Sequence, residues 1–120
     1  MEGEIRRDQW KTFLDEFSKR NQLRPSRVEI FGEIGAQEEE QLLPFLGVSF
    51  EPKGSAAGSV EILLGGETAA EPRQLSHKVL NAKRILPLIG ISGVEDGLEI
   101  EDKEGAKTLL RFEILPELEG

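Results

Sequence analysis

Cysteine is absent from this 120-residue sequence, and histidine occurs once. Without a thiol the chain has no disulfide framework, no thiolate metal site and no cysteine nucleophile. With one histidine, at most one Ser-His pair can form, and a zinc or iron site would have to be completed by carboxylates. We therefore expect no metal and no cofactor, and the composition suits a reducing cytoplasm.

Long apolar runs are also missing. No run approaches the roughly 20 residues that a membrane-spanning helix needs. The first residues, Met1-Glu2-Gly3-Glu4, are acidic, and no apolar segment of a secretory signal follows them. These observations predict a cytoplasmic protein with no membrane partner.

Positive charge is scarce. The chain carries 15 Lys and Arg residues against 23 Asp and Glu residues, a net charge of -8, which repels nucleic-acid phosphates. We therefore expect no nucleic-acid partner. Residues 1–27 are the exception, with a balance of +2 that rests on Lys11, Lys19 and five arginines: Arg6, Arg7, Arg20, Arg24 and Arg27. These arginines suggest two small basic patches, which could dock an acidic partner or a phosphate or be ordinary surface charge.

The overall balance is that of a folded chain, because 38% of residues are apolar and 32% are charged. A chain of this length has room for one core, so residues 1–120 are expected to form a single domain.

Four bulky apolar residues near the start recur at i, i+3, i+4 and i+7, which places them on one helical face: Trp10, Phe13, Leu14 and Phe17. The spacing predicts an amphipathic helix over residues 8–21. Asp8 is the expected N-cap, and Pro25 bounds the far end.

The apolar period then changes from 3.6 to 2, which indicates strands. Three runs carry the alternation, around Val28 and Ile30, over Leu46 to Phe50, and over Val60 to Leu64. A fourth strand region spans about Gln74 to Ile91, broken near Asn81 and Pro87. Finally, residues 98–102 and 108–112 predict a hairpin whose turn needs positive φ at Gly105.

Short strands with no helices between them exclude a parallel doubly wound sheet. The predicted fold is α+β, with the N-terminal amphipathic helix packed on a curved antiparallel β-sheet or small half-open barrel.

Many of these core and turn positions resemble a family of small bacterial proteins catalogued as domain of unknown function 5335. The likeness is carried by Ile5-Arg6-Arg7-Asp8-Gln9-Trp10, Gly35-Ala36-Gln37, Leu43-Pro44, Leu46-Gly47-Val48-Ser49-Phe50, Val60-Glu61-Ile62, Leu75 with His77, Leu98-Glu99-Ile100 and Thr108-Leu109-Leu110-Arg111-Phe112. The resemblance implies a bacterial origin and a small stand-alone domain, and it implies no activity, cofactor or catalytic residue.

Individual motifs give little chemistry. His77 shares strand parity with Leu75 and Val79, so it should face the core as a packed, hydrogen-bonded side chain or line a pocket. The acidic runs at 38–40, 95–96 and 101–102 lack the EF-hand order and are better explained as solvated loops than as calcium ligands. The glycine-rich stretch 54–59 lacks the Lys and the helix that a P-loop requires.

Three functions remain open. The first is a non-enzymatic interaction or accessory domain with a protein partner or a second copy of itself. The second is a small-ligand-binding module with a pocket in the sheet's concavity, lined by His77, Trp10 and Arg111. The third is a metal-independent hydrolase, although no serine lies in a nucleophile elbow and we predict no catalytic residue.

Overall fold

The computed structural model describes residues 3–32, 35–38, 42–52, 58–65, 74–90 and 93–113, and the structural statements below concern those ranges. A 3-10 turn at Arg7–Gln9 leads into helix α1 at Trp10–Arg20. The strands that follow in these ranges are β1 Pro25–Gly32, β2 Gly35–Glu38, β3 Leu43–Glu51, β4 Ser59–Gly65, β5 Gln74–Val79, β6 Ala82–Ile89, β7 Glu95–Asp102 and β8 Lys107–Phe112.

The strands form one sheet in the order β5-β4-β3-β1-β8-β7-β6, and β2 pairs with β1 beside this path. Every ladder among the described strands is antiparallel. The path begins at β5 and ends at β6, and no ladder joins these two described strands, so the sheet is not closed into a barrel. The predicted α+β class and antiparallel sheet are confirmed.

Helix α1 lies against the sheet and packs on β3. Its buried residues are Trp10, Leu14 and Phe17, with Phe13 partly buried against them. The polar residues on the opposite side of the helix are exposed: Lys11, Asp15, Glu16 and Lys19. The helical period therefore identified both the element and its buried face.

Asp8 is not the N-cap that we expected. It lies within the 3-10 turn, and its carboxylate binds the Arg6 guanidinium at 2.7 Å instead of a backbone N–H. The tighter turn places Asp8 inside the first helical segment, where its side chain points to solvent. The start of the helix is instead held by Trp10, whose Nε1 donates to the Ile5 carbonyl at 2.9 Å.

The core lies between the helix and the sheet. Phe17 of the helix, Phe45 of β3 and Phe112 of β8 form a cluster with ring centroids 5.4 to 5.9 Å apart. Strand β5 lies opposite β8 across this interior, because His77 of β5 reaches Thr108 of β8. The edge and stacked contacts among Phe17, Phe45 and Phe112 stabilise the core beyond the burial of their apolar surface.

A bulge in β3 shifts the predicted strand phase. The ladder with β4 changes register between Phe45 and Gly47, so Phe45 is fully buried and Leu46 is only partly buried. Our expectation that Leu46 continues the inward parity of Val48 was wrong for this reason. Ser18 of the helix docks beside the bulge, where its hydroxyl donates to the Val48 carbonyl and accepts from the Val48 N–H.

The long strand region near residue 81 divides as predicted, because Asn81 adopts φ 55° in the turn between β5 and β6. Pro87 does not break the chain and lies within β6. The final hairpin is confirmed, with Gly105 at φ 91° and the Asp102 carboxylate accepting from two turn N–H groups. Strand β2 was not predicted. Ile34, Glu39, Glu40 and residues 54–57 lie outside the described ranges.

Replacing Trp10 with Ala should lower the free energy of unfolding by about 3 kcal/mol or more, because it removes a fully buried indole from the centre of the core. Urea denaturation measures the change. Lys11→Ala, on the exposed face of the same helix, is the control and should change stability by less than about 0.5 kcal/mol. An unchanged midpoint for Trp10→Ala would mean that this helix face is not packed.

Candidate functional site

His77 lies half-buried on the inner face of β5. Its Nε2 is 3.4 Å from the hydroxyl of Thr108, and burial lowers the pKa of His77 below its ordinary value. The Thr108 side chain is only 4% exposed, so a substrate could not reach its hydroxyl for attack. The pair therefore has the geometry of a satisfied interior contact between two strands rather than of a nucleophile and its base.

Trp10 lies elsewhere in the core. Its indole packs edge-on to Phe50 with centroids 5.1 Å apart, and the Arg7 guanidinium lies over both rings, 4.7 Å from the indole centroid and 5.4 Å from that of Phe50. The ring is 1% exposed and lines none of the described cavities. Its position suits a structural role at the start of the helix.

Arg111 lies on the outer face of β8, because its neighbours Leu110 and Phe112 point inward. Its guanidinium pairs with Glu29 on β1. It lines an outer cleft of about 300 Å³ that His77 and Trp10 do not share. Among the described cavities, none is lined by more than one of the three predicted ligand residues, because Arg111 lines this cleft and His77 and Trp10 line none.

The largest described cavity is an open groove of about 650 Å³ between the end of β1 and the β7–β8 turn, bordered by Phe31, Gly32, Glu104, Ala106 and Lys107. Every buried polar side-chain atom in the described residues already has a hydrogen-bond partner. The groove therefore offers a ligand no unpaired buried group among them. Among the described residues, no cluster of three His, Asp or Glu side chains could hold a metal ion.

A different surface stands out at the opposite end of the sheet. Of the six large apolar side chains exposed in the described ranges, four lie here: Leu23 (46%), Leu42 (39%), Ile89 (56%) and Val94 (51%). Leu23 precedes Arg24, whose guanidinium binds the Glu95 carbonyl at 2.7 Å, and Val94 precedes Glu95. Ile89 pairs with Glu95 in the β6–β7 ladder, and Leu42 lines a cleft with Asp96. We call these four residues the apolar rim.

Leu23 is unusual in two respects, because its backbone has positive φ and its large apolar side chain is exposed. Its φ is 72°, in the left-handed region where a helix end normally has Gly or Asn. This conformation costs a branched L-residue about 1 to 2 kcal/mol. Its N–H donates to the Phe45 carbonyl at 2.7 Å, which fixes the backbone while the side chain remains exposed. Folding gains little from an apolar side chain in this place.

A polar network behind the rim fixes its shape. Arg20 at the end of the helix binds the Glu95 carboxylate through two nitrogens, at 2.8 and 3.1 Å. Asn21 is buried and donates to both Glu95 and the Phe17 carbonyl, while Arg24 stacks on Phe112 at 4.3 Å. The hydrogen bond from Arg20 lowers the pKa of Glu95, more than burial raises it. The helix end, the Leu23 turn and the start of β7 are thus tied together.

These features define an α+β protein in which helix α1 packs on an antiparallel sheet. The turn after the helix is held by contacts with Glu95 and presents an exposed apolar side chain. The chain belongs to a family of unknown function (DUF5335), whose model matches residues 1–119. The resemblance read from the sequence is confirmed. No curated protein and no solved structure matches the chain. The described part of the chain contains no helix with the length and apolarity of a membrane span.

The pH dependence of stability tests the position of His77. Because burial lowers its pKa in the folded state, the unfolded chain binds a proton first, and stability should fall as pH decreases below the ordinary histidine pKa of about 6.5. Urea midpoints between pH 8 and 5.5 measure this slope. His77→Gln should flatten it, and an equal slope in wild type and His77→Gln would contradict the assignment.

The Arg20–Glu95 contact can be tested against an exposed ion pair. Glu95→Ala should destabilise the protein by about 1 to 2 kcal/mol, because it leaves buried Asn21 and the partly exposed Arg20 without their shared acceptor. Asp15→Ala removes the partner of Lys11 on the exposed helix face and should cost less than about 0.5 kcal/mol. Equal losses in chemical denaturation would show that the network is ordinary surface charge.

Proposed function

We propose that this protein is a non-enzymatic interaction domain that recognises another protein through the apolar rim. The observation that carries the proposal is Leu23, an exposed apolar side chain held in a backbone conformation that disfavours it. Strain of this kind is retained where the surrounding structure enforces it, and it concentrates at functional sites.

The grouping of the rim supports this function. Single exposed apolar residues are normal on protein surfaces, but four of the six lie at one end of the sheet, and a grouping of exposed apolar residues is typical of interaction sites. The described residues give less support to a catalytic site than to a protein-binding surface. The contact between His77 and Thr108 lies in the interior, and the largest groove has no buried polar group aimed into it among the described residues.

The surroundings of the rim also suit binding. Arginine is enriched at protein interfaces, and Arg20, Arg24, Arg27 and Arg111 surround the apolar side chains. The network with Glu95 holds the rim in one shape before a partner arrives, which reduces the ordering cost of binding.

Two finer features belong to the same proposal. The sheet curls as a half-open barrel that the helix covers, which is supported by the contact of β5 with β8 across the interior. The protein acts in a bacterial cytoplasm, a setting that the absence of cysteine suits.

Leu23→Asn separates binding from folding. Asn tolerates positive φ, so the variant should be as stable as wild type or more stable by up to about 1 kcal/mol, while it loses binding. A displayed library of random twelve-residue peptides, selected on the full chain, supplies the ligands, and urea denaturation supplies the stability.

The matched control is Leu80→Asn, at an exposed turn at the other end of the sheet. It should bind the selected peptides as wild type does. Two results would contradict the proposal: no peptide is enriched on the wild-type chain, or the enriched peptides bind Leu23→Asn as well as they bind wild type.

A further inference from the structure

The segment that carries Leu23 has a charge opposite to that of the rest of the protein. Residues 19–27 contain Lys19, Arg20, Arg24 and Arg27 and no acidic residue. The other residues carry 11 basic and 23 acidic side chains, a balance of -12. Glu95 pairs with Arg20 in this region, and Lys19 and Arg24 add positive charge beside that pair, which attracts negative groups in so acidic a chain.

The arginines next to Leu23 are held in position and yet remain accessible. The Arg20 side chain is 48% exposed, whereas the Glu95 side chain that fixes it is 18% exposed. Arg24 is fixed by the Asn21 side chain at 2.8 Å and by the Glu95 carbonyl. Guanidinium groups that are already ordered bind carboxylates with a smaller loss of side-chain freedom.

A second copy of this chain is a poor occupant of the rim. Each copy carries a net charge of -8, so two copies repel each other at long range. In a twofold dimer the same patch faces itself, which would bring the basic segments 19–27 of both copies together. Like charges placed opposite each other weaken an interface.

Nucleic acid fits the surface less well than a protein does. Its phosphates would meet the acidic remainder of the surface at once, because a duplex extends well beyond one small patch. The four side chains of the rim would also gain nothing from a phosphate backbone, whereas an apolar anchor on a partner would bury them.

We propose that the partner of the apolar rim is an acidic protein segment that carries a bulky apolar side chain between its carboxylates. The apolar side chain packs on Leu23 and its neighbours in the rim, and the carboxylates face Lys19, Arg20 and Arg24. This inference rests on the proposed function and adds the chemistry of the partner.

The test uses the peptides selected from the random twelve-residue library. The enriched peptides should be net negative with at least one bulky apolar residue, and their binding, followed by fluorescence anisotropy, should weaken as salt increases. Lys19→Glu should weaken binding by about threefold to fivefold, since it reverses an exposed charge at the edge of the surface.

Lys83→Glu is the matched control, because it makes the same charge change at an exposed position near the start of β6, at the opposite end of the sheet. It should leave binding unchanged. Arg20 and Arg24 are not substituted, since they also stabilise the fold, so a loss of binding in Lys19→Glu is not a folding defect.

The outcomes separate this inference from the proposed function. Enriched peptides that are basic or neutral and still require Leu23 would overturn the acidic partner and leave the interaction domain standing. Peptides that bind Leu23→Asn unchanged would overturn both. Sedimentation showing a dimer that Leu23→Asn dissociates would identify a second copy as the occupant, and tight binding of a DNA duplex that requires Lys19 would identify nucleic acid; either result contradicts the proposal.

Discussion

The packing of one helix face against an open sheet is the constraint on which the rest of the structure depends. The sheet does not close on itself among the described strands, so its apolar face needs a cover. Trp10, Leu14 and Phe17 supply it, and Ser18 locks the helix to the bulged strand β3. Because the helix must stop where this cover ends, the chain turns sharply at Asn21–Leu23. The position of the apolar rim is therefore a consequence of how the core is closed.

The same turn links stability to function. Arg20, Asn21 and Arg24 all bind Glu95, which joins the helix end to a strand more than 70 residues later in the chain. Leu23 lies between these residues at positive φ, with its N–H bound to the Phe45 carbonyl and its side chain exposed. A residue that favoured folding alone would be Gly or Asn. Proteins keep such local conflicts mainly where a function requires them.

The elements with regular periods could be predicted from the sequence, and the irregular ones could not. The helix face, the alternating strands and the Gly105 hairpin follow from local patterns. The bulge at Phe45–Gly47 gave Leu46 the opposite strand parity to the one predicted. Strand β2 was missed because its sequence has no apolar alternation. His77 faces inward as its parity indicates, but the placing of Trp10 and Arg111 depends on tertiary packing. Leu23 carries no local signal of positive φ, and its contact partners are distant in sequence.

Amide hydrogen exchange of the free chain, compared with its complex with a selected peptide, tests the central claim most directly. Exchange should be slower at residues 21–24 and 93–96 and unchanged at residues 80–83, because binding at the rim should restrict opening of the turn that carries Leu23. Protection confined to the outer edge of β5, or to the groove beside Phe31, would contradict the claim and move the recognition surface to that part of the molecule.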